Sequence, residues 1–200
     1  MSGTEDPATR DSATENSTAG CHAPGCHAPS GEPSPWITRY AGLLPANGQI
    51  LDLAAGSGRH TRYLSQLGRS VLAVDRDIGG LADLRTVSGI DILQIDLESA
   101  TGWPFPARQF TGIVVTNYLH RPLLPFLGGA LLPGGILLYE TFATGNEKFG
   151  RPSNPAFLLQ PGELLRVAQA AGLMVMAYEH GEVTSPRPAV IQHIAARKSG

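Results

Sequence analysis

Residues 50–60 read ILDLAAGSGRH, and the remainder of the chain is arranged about them. Ile50, Leu51 and Leu53 make an apolar run of strand length, with a single acid, Asp52, where the run ends. Gly56-Ser57-Gly58 follows at once, and Arg59 opens a segment in which His60, Tyr63, Leu64 and Leu67 recur at helical spacing. A strand, a glycine turn and a helix N-terminus form a cradle for a nucleotide-like ligand. The glycines permit a tight turn and close backbone approach, and the first helical N–H groups have no partner within the helix. The carboxylate narrows this reading. A phosphate gains nothing from a neighbouring acid, whereas a ligand with a cationic amino-acid end does.

Outward from this stretch, apolar strands alternate with helical segments. Upstream, Pro35 to Leu44 reads as a short amphipathic helix with Ile37, Tyr40, Leu43 and Leu44 on its apolar face. Downstream, the helix from Arg59 stops at Gly68, and Val71 to Val74 is a second strand ending in Asp75. Helical residues near Leu81 to Val87 lead to a third strand, Ile92 to Ile95, closed by Asp96; Phe110 to Thr116 is a fourth. Pro122 to Leu132 reads as a helix with glycine irregularities, and Gly135 to Thr141 as a fifth strand. After a polar loop, Phe142 to Gln160, come a helix over Pro161 to Ala171 and two strands, Leu173 to Glu179 and Ala189 to Arg197. Continuous apolar strands alternating with helices predict an α/β fold with a mostly parallel, doubly wound sheet covered on both faces. The last two strands are joined too briefly for a crossover, so the final strand is expected to be antiparallel.

Composition bounds the rest. The chain has 200 residues, 42% of them hydrophobic, and a net charge of -2, which fits one globular domain with no basic face for nucleic acid. Residues 1–34 lack large apolar side chains and are expected to be a disordered polar leader, with the domain over 35–198. The leader repeats GCHAP, which sets Cys21, His22, Cys26 and His27 close together. Structural zinc sites usually separate their ligand pairs by a longer loop, so the repeat is read as a duplicated pentapeptide and no metal is expected. The longest apolar tract, Pro122 to Tyr139, is broken by six prolines and glycines, against a membrane span. Both cysteines lie in the leader and no secretory signal opens the chain, so the expected compartment is the cytoplasm.

Together these residues resemble a class I S-adenosylmethionine-dependent methyltransferase, with its Rossmann-like fold, over roughly Trp36 to Lys198. The family's acid-x-Gly-x-Gly-x-Gly motif is met by Asp52 to Gly58, with Ala54 in place of the first glycine. The resemblance implies S-adenosyl-L-methionine as cofactor. Asp52 would face its amino group, Ala54, Gly56 and Gly58 its backbone cradle, and Asp75, with Arg76 beside it, its ribose hydroxyls. Asp96 and Leu97 would meet the adenine, and Asn117 would sit beside the methyl. The stretches NYLHRPLL, PGGILLYETF and GNEKFGRPSNPAFLL look like a small bacterial branch distantly similar to tellurite-resistance methyltransferases.

For the chemistry, the expected catalytic candidates are His120, Tyr118 and Asn117, at the end of the fourth strand. His120 suits proton acceptance near neutrality. Arg121, Glu140, Lys148 and Arg151, with Arg187, are candidate substrate contacts, the cations for an anionic acceptor. A rival role for Arg121 is pairing with Glu140 or Glu147. The loop 142–160 is long enough to be a substrate lid. Asn117-Tyr118-Leu119-His120 is not the Asn-Pro-Pro-Tyr of adenine or glutamine amino-methyltransferases, so the expected acceptor is a small molecule. Two alternatives stand beside this reading: a non-catalytic protein that binds the cofactor, and an NAD-binding oxidoreductase. Thr61 stands where the latter would have its third glycine, and Asp52 has no use there.

Overall fold

The computed structural model describes residues 1, 31–99, 102–106 and 109–200; the Cys21–His27 repeat lies outside them. Seven strands form one sheet: β1 Gln49–Leu53, β2 Ser70–Asp75, β3 Ile90–Gln94, β4 Phe110–Thr116, β5 Leu131–Phe142, β6 Leu173–Val183 and β7 Ala189–Lys198. Their order is β3-β2-β1-β4-β5-β7-β6. β1 to β5 pair in parallel, and β7 is antiparallel to both β5 and β6. The expected architecture is the observed one.

Side-chain alternation explains the continuous apolar strands. Ile50, Val71, Val114, Ile136 and Leu138 face one side of the sheet, where they pack with Trp36 and Ile37 of α1 (Pro35–Tyr40) and Leu64 of α2 (Arg59–Gln66). Leu51, Leu53, Leu72, Ile113, Val115 and Leu137 face the other. There they meet Leu127 of α3 (Leu124–Ala130) and Leu164 and Ala168 of α4 (Glu163–Ala170). Each fully buried aliphatic side chain contributes roughly 1.5–3 kcal/mol, so both faces have to be apolar. Chain direction along the sheet reverses between β1 and β4, which leaves a crevice at their carboxyl ends.

The boundaries depart from expectation in several places; β5 also begins four residues before Gly135 and β6 runs four past Glu179. β3 runs over Ile90–Gln94 and stops two residues short of Asp96, because it is an edge strand whose pairing with β2 ends at Asp75 and Gln94. The region expected as one helix over 122–132 is a 3₁₀ turn, Arg121–Leu123, then α3. Leu67, placed on the apolar face of α2, is 44% exposed, since the helix ends at Gln66. Ser34, assigned to the leader, is buried and caps α1 by accepting a hydrogen bond from the Trp36 N–H.

The loop 142–160 is folded rather than free. It holds two 3₁₀ turns, Asn146–Phe149 and Pro155–Phe157, and Ala143 bridges to Leu159. Arg121 fastens it from outside. Its guanidinium donates to both carboxylate oxygens of Glu163 at 2.8 and 3.0 Å and to the carbonyls of Ala156 and Leu158 at 2.7 and 2.8 Å. Replacing Arg121 with Ala strands the largely buried Glu163 carboxylate and two carbonyls. We expect a loss of about 1–3 kcal/mol, read as a lower urea midpoint, with faster proteolysis between residues 145 and 157. An unchanged midpoint would remove this fastening role.

Candidate active site

The crevice is built from the turn after β1. Ala54, Gly56 and Gly58 all have positive φ, at 58°, 57° and 78°. A side chain at Gly58 would also collide with Leu81, whose Cδ2 would lie 2.4 Å from its Cβ. Two residues secure the turn. Arg62 donates to the carbonyls of Ser57 and Gly80 and pairs with Asp83. Asp75, at the end of β2, accepts from the Gly56 N–H at 2.8 Å and the Asp77 N–H at 2.9 Å. Asp75 therefore shapes the glycine turn as well as facing the crevice side of the sheet.

Asp52 is only 1% exposed, and Thr61 of α2 donates to its Oδ2 at 2.6 Å. Burial pushes its carboxyl up to about 6, against the pull of Thr61 and Arg59. Asp96 accepts from the Glu98 N–H, and Leu97 beside it is buried. Arg76 is exposed, and its carbonyl accepts from Gln94. Asn117 closes β4 with φ 54°, a conformation asparagine tolerates better than most residues.

Tyr118 is buried and its hydroxyl has no hydrogen-bond partner. Burial raises its pKa, and the charges of Glu98, Asp96 and Asp75 raise it further. The hydroxyl therefore belongs to the Asp75–Asp96 side, where sequence reasoning set it among the catalytic residues. A buried carboxylate awaiting a cation, a phenol with nothing to bond and two flanking acids fit an adenosyl amino acid and have no use for a pyrophosphate.

On the other side of Asn117 lies a cavity of about 480 Å³. Its floor carries Asn117, Arg59, Glu140 and His193. Its walls come from two segments distant in sequence: residues 32–36 and the β6–β7 connection around Pro186. Of the candidate substrate contacts, Glu140 and Arg187 line this cavity. His120 and Tyr118 do not, and Arg121 is spent on Glu163 rather than on Glu140 or Glu147. Lys148 pairs with Glu182, and Arg151 is exposed away from the lining. Of the loop 142–160, Phe142 alone lines the cavity, so the expected lid does not cover it.

Four residues that matter here escaped the sequence reading. Arg59, 9% exposed, lies near Glu140 and Asp52; burial lowers its pKa and the two carboxylates raise it. His60 accepts from the Ser34 N–H at Nε2, so its ring proton sits on Nδ1, 3.2 Å from Thr116 Oγ1. Ser34 Oγ donates to Glu140 Oε2 at 2.6 Å, and His193 Nδ1 stands 3.3 Å from the same oxygen. The signal for Arg59 was its place directly after the glycines. For Ser34 and His193 no local signal exists, because their partners lie 106 and 53 positions away in the chain.

Residues 51–122 match the model of a methyltransferase domain family. Over that stretch the chain is similar to methyltransferase domains. Among solved structures, TehB from Haemophilus influenzae is 20% identical with a TM-score of 0.63, covering 82% of this chain and 61% of TehB. The chain thus spans about three fifths of TehB's length. The 1,6-didemethyltoxoflavin-N1-methyltransferase of Burkholderia thailandensis, with bound 1,6-didemethyltoxoflavin and S-adenosylhomocysteine, is 22% identical, TM-score 0.60, covering 82% of this chain and 76% of that one. A methyltransferase from Methanosarcina mazei is 17% identical, TM-score 0.62, covering 84% and 99%. These likenesses are likenesses of fold. No curated protein matches the sequence.

Two substitutions check the energetics of this turn. Asp52 has a higher pKa in the folded domain than in an unfolded chain, so the folded state binds more protons between pH about 4 and 6. Its charge therefore costs stability progressively as pH rises through that window, and fully above it. Asp52→Asn should raise the urea stability of the ligand-free protein at pH 7.5, by on the order of 2–3 kcal/mol, with little gain at pH 4. Ala54→Gly removes a side chain from positive φ and should raise stability by up to about 1 kcal/mol; a loss would show that Ala54 is not strained.

Proposed function

We propose that this domain transfers a methyl group from S-adenosylmethionine to a small-molecule acceptor held in the cavity beside Asn117. The observation that carries this reading is the position of that cavity. It adjoins the end of β4, next to the acids that suit the cofactor, and it is flanked by two segments of the chain. A concave volume of this size suits a small molecule better than a folded polymer. Among the described residues, no helix is long and apolar enough to cross a membrane.

In this assignment Asp52 holds the cationic amino group. Asp75 accepts the ribose hydroxyls, and Asp96, Leu97 and the Tyr118 hydroxyl border the adenosine. Gly56 and Gly58 keep side chains out of the way. When bound, the cofactor supplies an electrophilic methyl on a sulfonium. The chain supplies orientation, which can lower a barrier by roughly 7–11 kcal/mol. Asn117 stands between cofactor and acceptor. A role for His120 finds no support in its position outside the cavity lining.

The test is calorimetric titration with S-adenosylhomocysteine and, separately, with NAD. We expect binding of the first only, and at least about tenfold weaker binding in Asp75→Asn. In wild type, the Asp52 carboxylate must lose its proton to pair with an ammonium, so affinity should fall about tenfold from pH 7 to pH 5 and this dependence should vanish in Asp52→Asn. NAD binding alone would overturn the assignment.

A further inference from the structure

The same cavity carries information about the acceptor, on the footing that the domain is a methyltransferase as argued above. Glu140 is 5% exposed and lines the floor. Its Oε2 receives the Ser34 hydroxyl at 2.6 Å and faces His193 Nδ1 at 3.3 Å. Its Oε1 accepts no hydrogen bond among the described residues. That oxygen is not sealed off with the rest of the side chain but is open to the cavity, where a donor on a guest can meet it. His193 Nδ1 is buried without an aligned hydrogen-bond partner. Two atoms suited to handling one proton therefore converge on one space.

The surroundings restrict the acceptor's charge and shape. The buried Arg59 guanidinium shares the floor, and its one hydrogen bond among the described residues is to the Glu32 carbonyl at 3.4 Å. A fixed cation beside the carboxylate disfavours an ammonium guest and stabilises negative charge that develops on a neutral one. Trp36, its ring centroid 4.9 Å from that of His193, together with Phe142 and Pro186, gives flat apolar walls. Such walls suit a planar ring.

We propose that the cavity takes a neutral, planar aromatic hydroxyl compound and that Glu140 receives its hydroxyl proton as the methyl is transferred. A lone pair of the acceptor oxygen forms the new O–C bond as the C–S bond breaks and leaves its electron pair on sulfur. The O–H proton passes to Glu140 Oε1. Positive sulfonium and negative carboxylate become neutral thioether and neutral carboxyl, so charge balances. His193 Nδ1, 3.3 Å from Glu140 Oε2, is placed to share that proton.

The test uses 7-hydroxycoumarin as probe, with binding followed by fluorescence in the presence of S-adenosylhomocysteine and product followed as 7-methoxycoumarin with S-adenosylmethionine. Wild type should bind and methylate the probe. Glu140→Gln, which keeps an acceptor for Ser34, should bind S-adenosylhomocysteine within twofold of wild type yet lose about 100-fold in kcat. Glu140→Asp should recover part of that loss, and His193→Asn should shift the acidic limb of the pH–rate profile. Turnover within threefold of wild type in Glu140→Gln overturns the proposal. So does saturable preference for 7-amino-4-methylcoumarin, or failure of wild type to bind 7-hydroxycoumarin while it binds S-adenosylhomocysteine. Failure of wild type to bind S-adenosylhomocysteine would instead bring down the methyltransferase reading, and this proposal with it. The fluorescence titration of wild type needs no variant to fold.

Discussion

A carboxylate at 1% exposure stands next to the end of the central strand, and the domain is arranged to keep it there. Asp52 follows two apolar residues of β1, Ile50 and Leu51, and points to the face packed by α1 and α2, where water is excluded. The Thr61 hydroxyl, from the first turn of α2, stabilises it only in part. For Thr61 to reach it, α2 must begin directly above the strand end. That in turn forces the backbone from Ala54 to Gly58 through three left-handed residues in five. The price is a carboxyl pushed to about 6 and an alanine in a conformation that glycine adopts more easily. Neither feature helps the fold, and such local costs gather at binding sites. The same turn relies on Asp75 for its Gly56 N–H, which couples the ends of β1 and β2.

Glu140 repeats the device four strands along in the chain, at the end of β5. Register sets it opposite Thr116, and the Asn117 N–H donates to its carbonyl, so the backbone of β4 and β5 positions it. Its carboxylate is held by Ser34, whose own N–H is held by His60 of α2. Helix α2 thus serves both acids, through Thr61 for Asp52 and through His60 for the segment that reaches Glu140. Arg59, the first residue of that helix, lies between the two charges. A short helix of eight residues consequently ties the glycine turn to the cavity that Glu140 lines.

How much of this was legible depends on the range of the interaction. The parallel sheet, its antiparallel last strand and the glycine turn are written in local periodicity and spacing, and Phe110–Thr116 was readable to the residue. The end of β3 was not: its pairing with β2 closes at Asp75 and Gln94 with one last bond, from the Ile95 N–H to the Asp75 carbonyl, while the apolar pattern gives no stop there. Arg121 looked like an anion contact because it stands in a loop on the correct edge. Its true partner, Glu163, lies 42 positions on, and the two carbonyls it binds have no sequence signature. Tyr118 was set with the catalytic group because it follows Asn117. What sequence cannot show is that its hydroxyl lies on the Asp75–Asp96 side, in the field of Asp96 and Glu98.

The cover of the acceptor cavity follows from the same distinction. A loop can close over a ligand only if opening it does not strand buried polar groups. The segment 142–160 fails that condition: the Asn146 side chain bonds the Pro152 carbonyl and the Val190 N–H, and Arg121 holds two more carbonyls. The segment 32–36 meets it better. Its attachments near the cavity are Ser34 with Glu140 and His60, the Trp36 indole with the Ile194 carbonyl, and the Glu32 carbonyl with Arg59. Two of these four partners, Glu140 and Arg59, are floor residues that a guest could engage in its place. Residues 32–34, read from sequence as the end of a leader without structure, are therefore the part of the cavity wall best suited to exchange contacts with a guest.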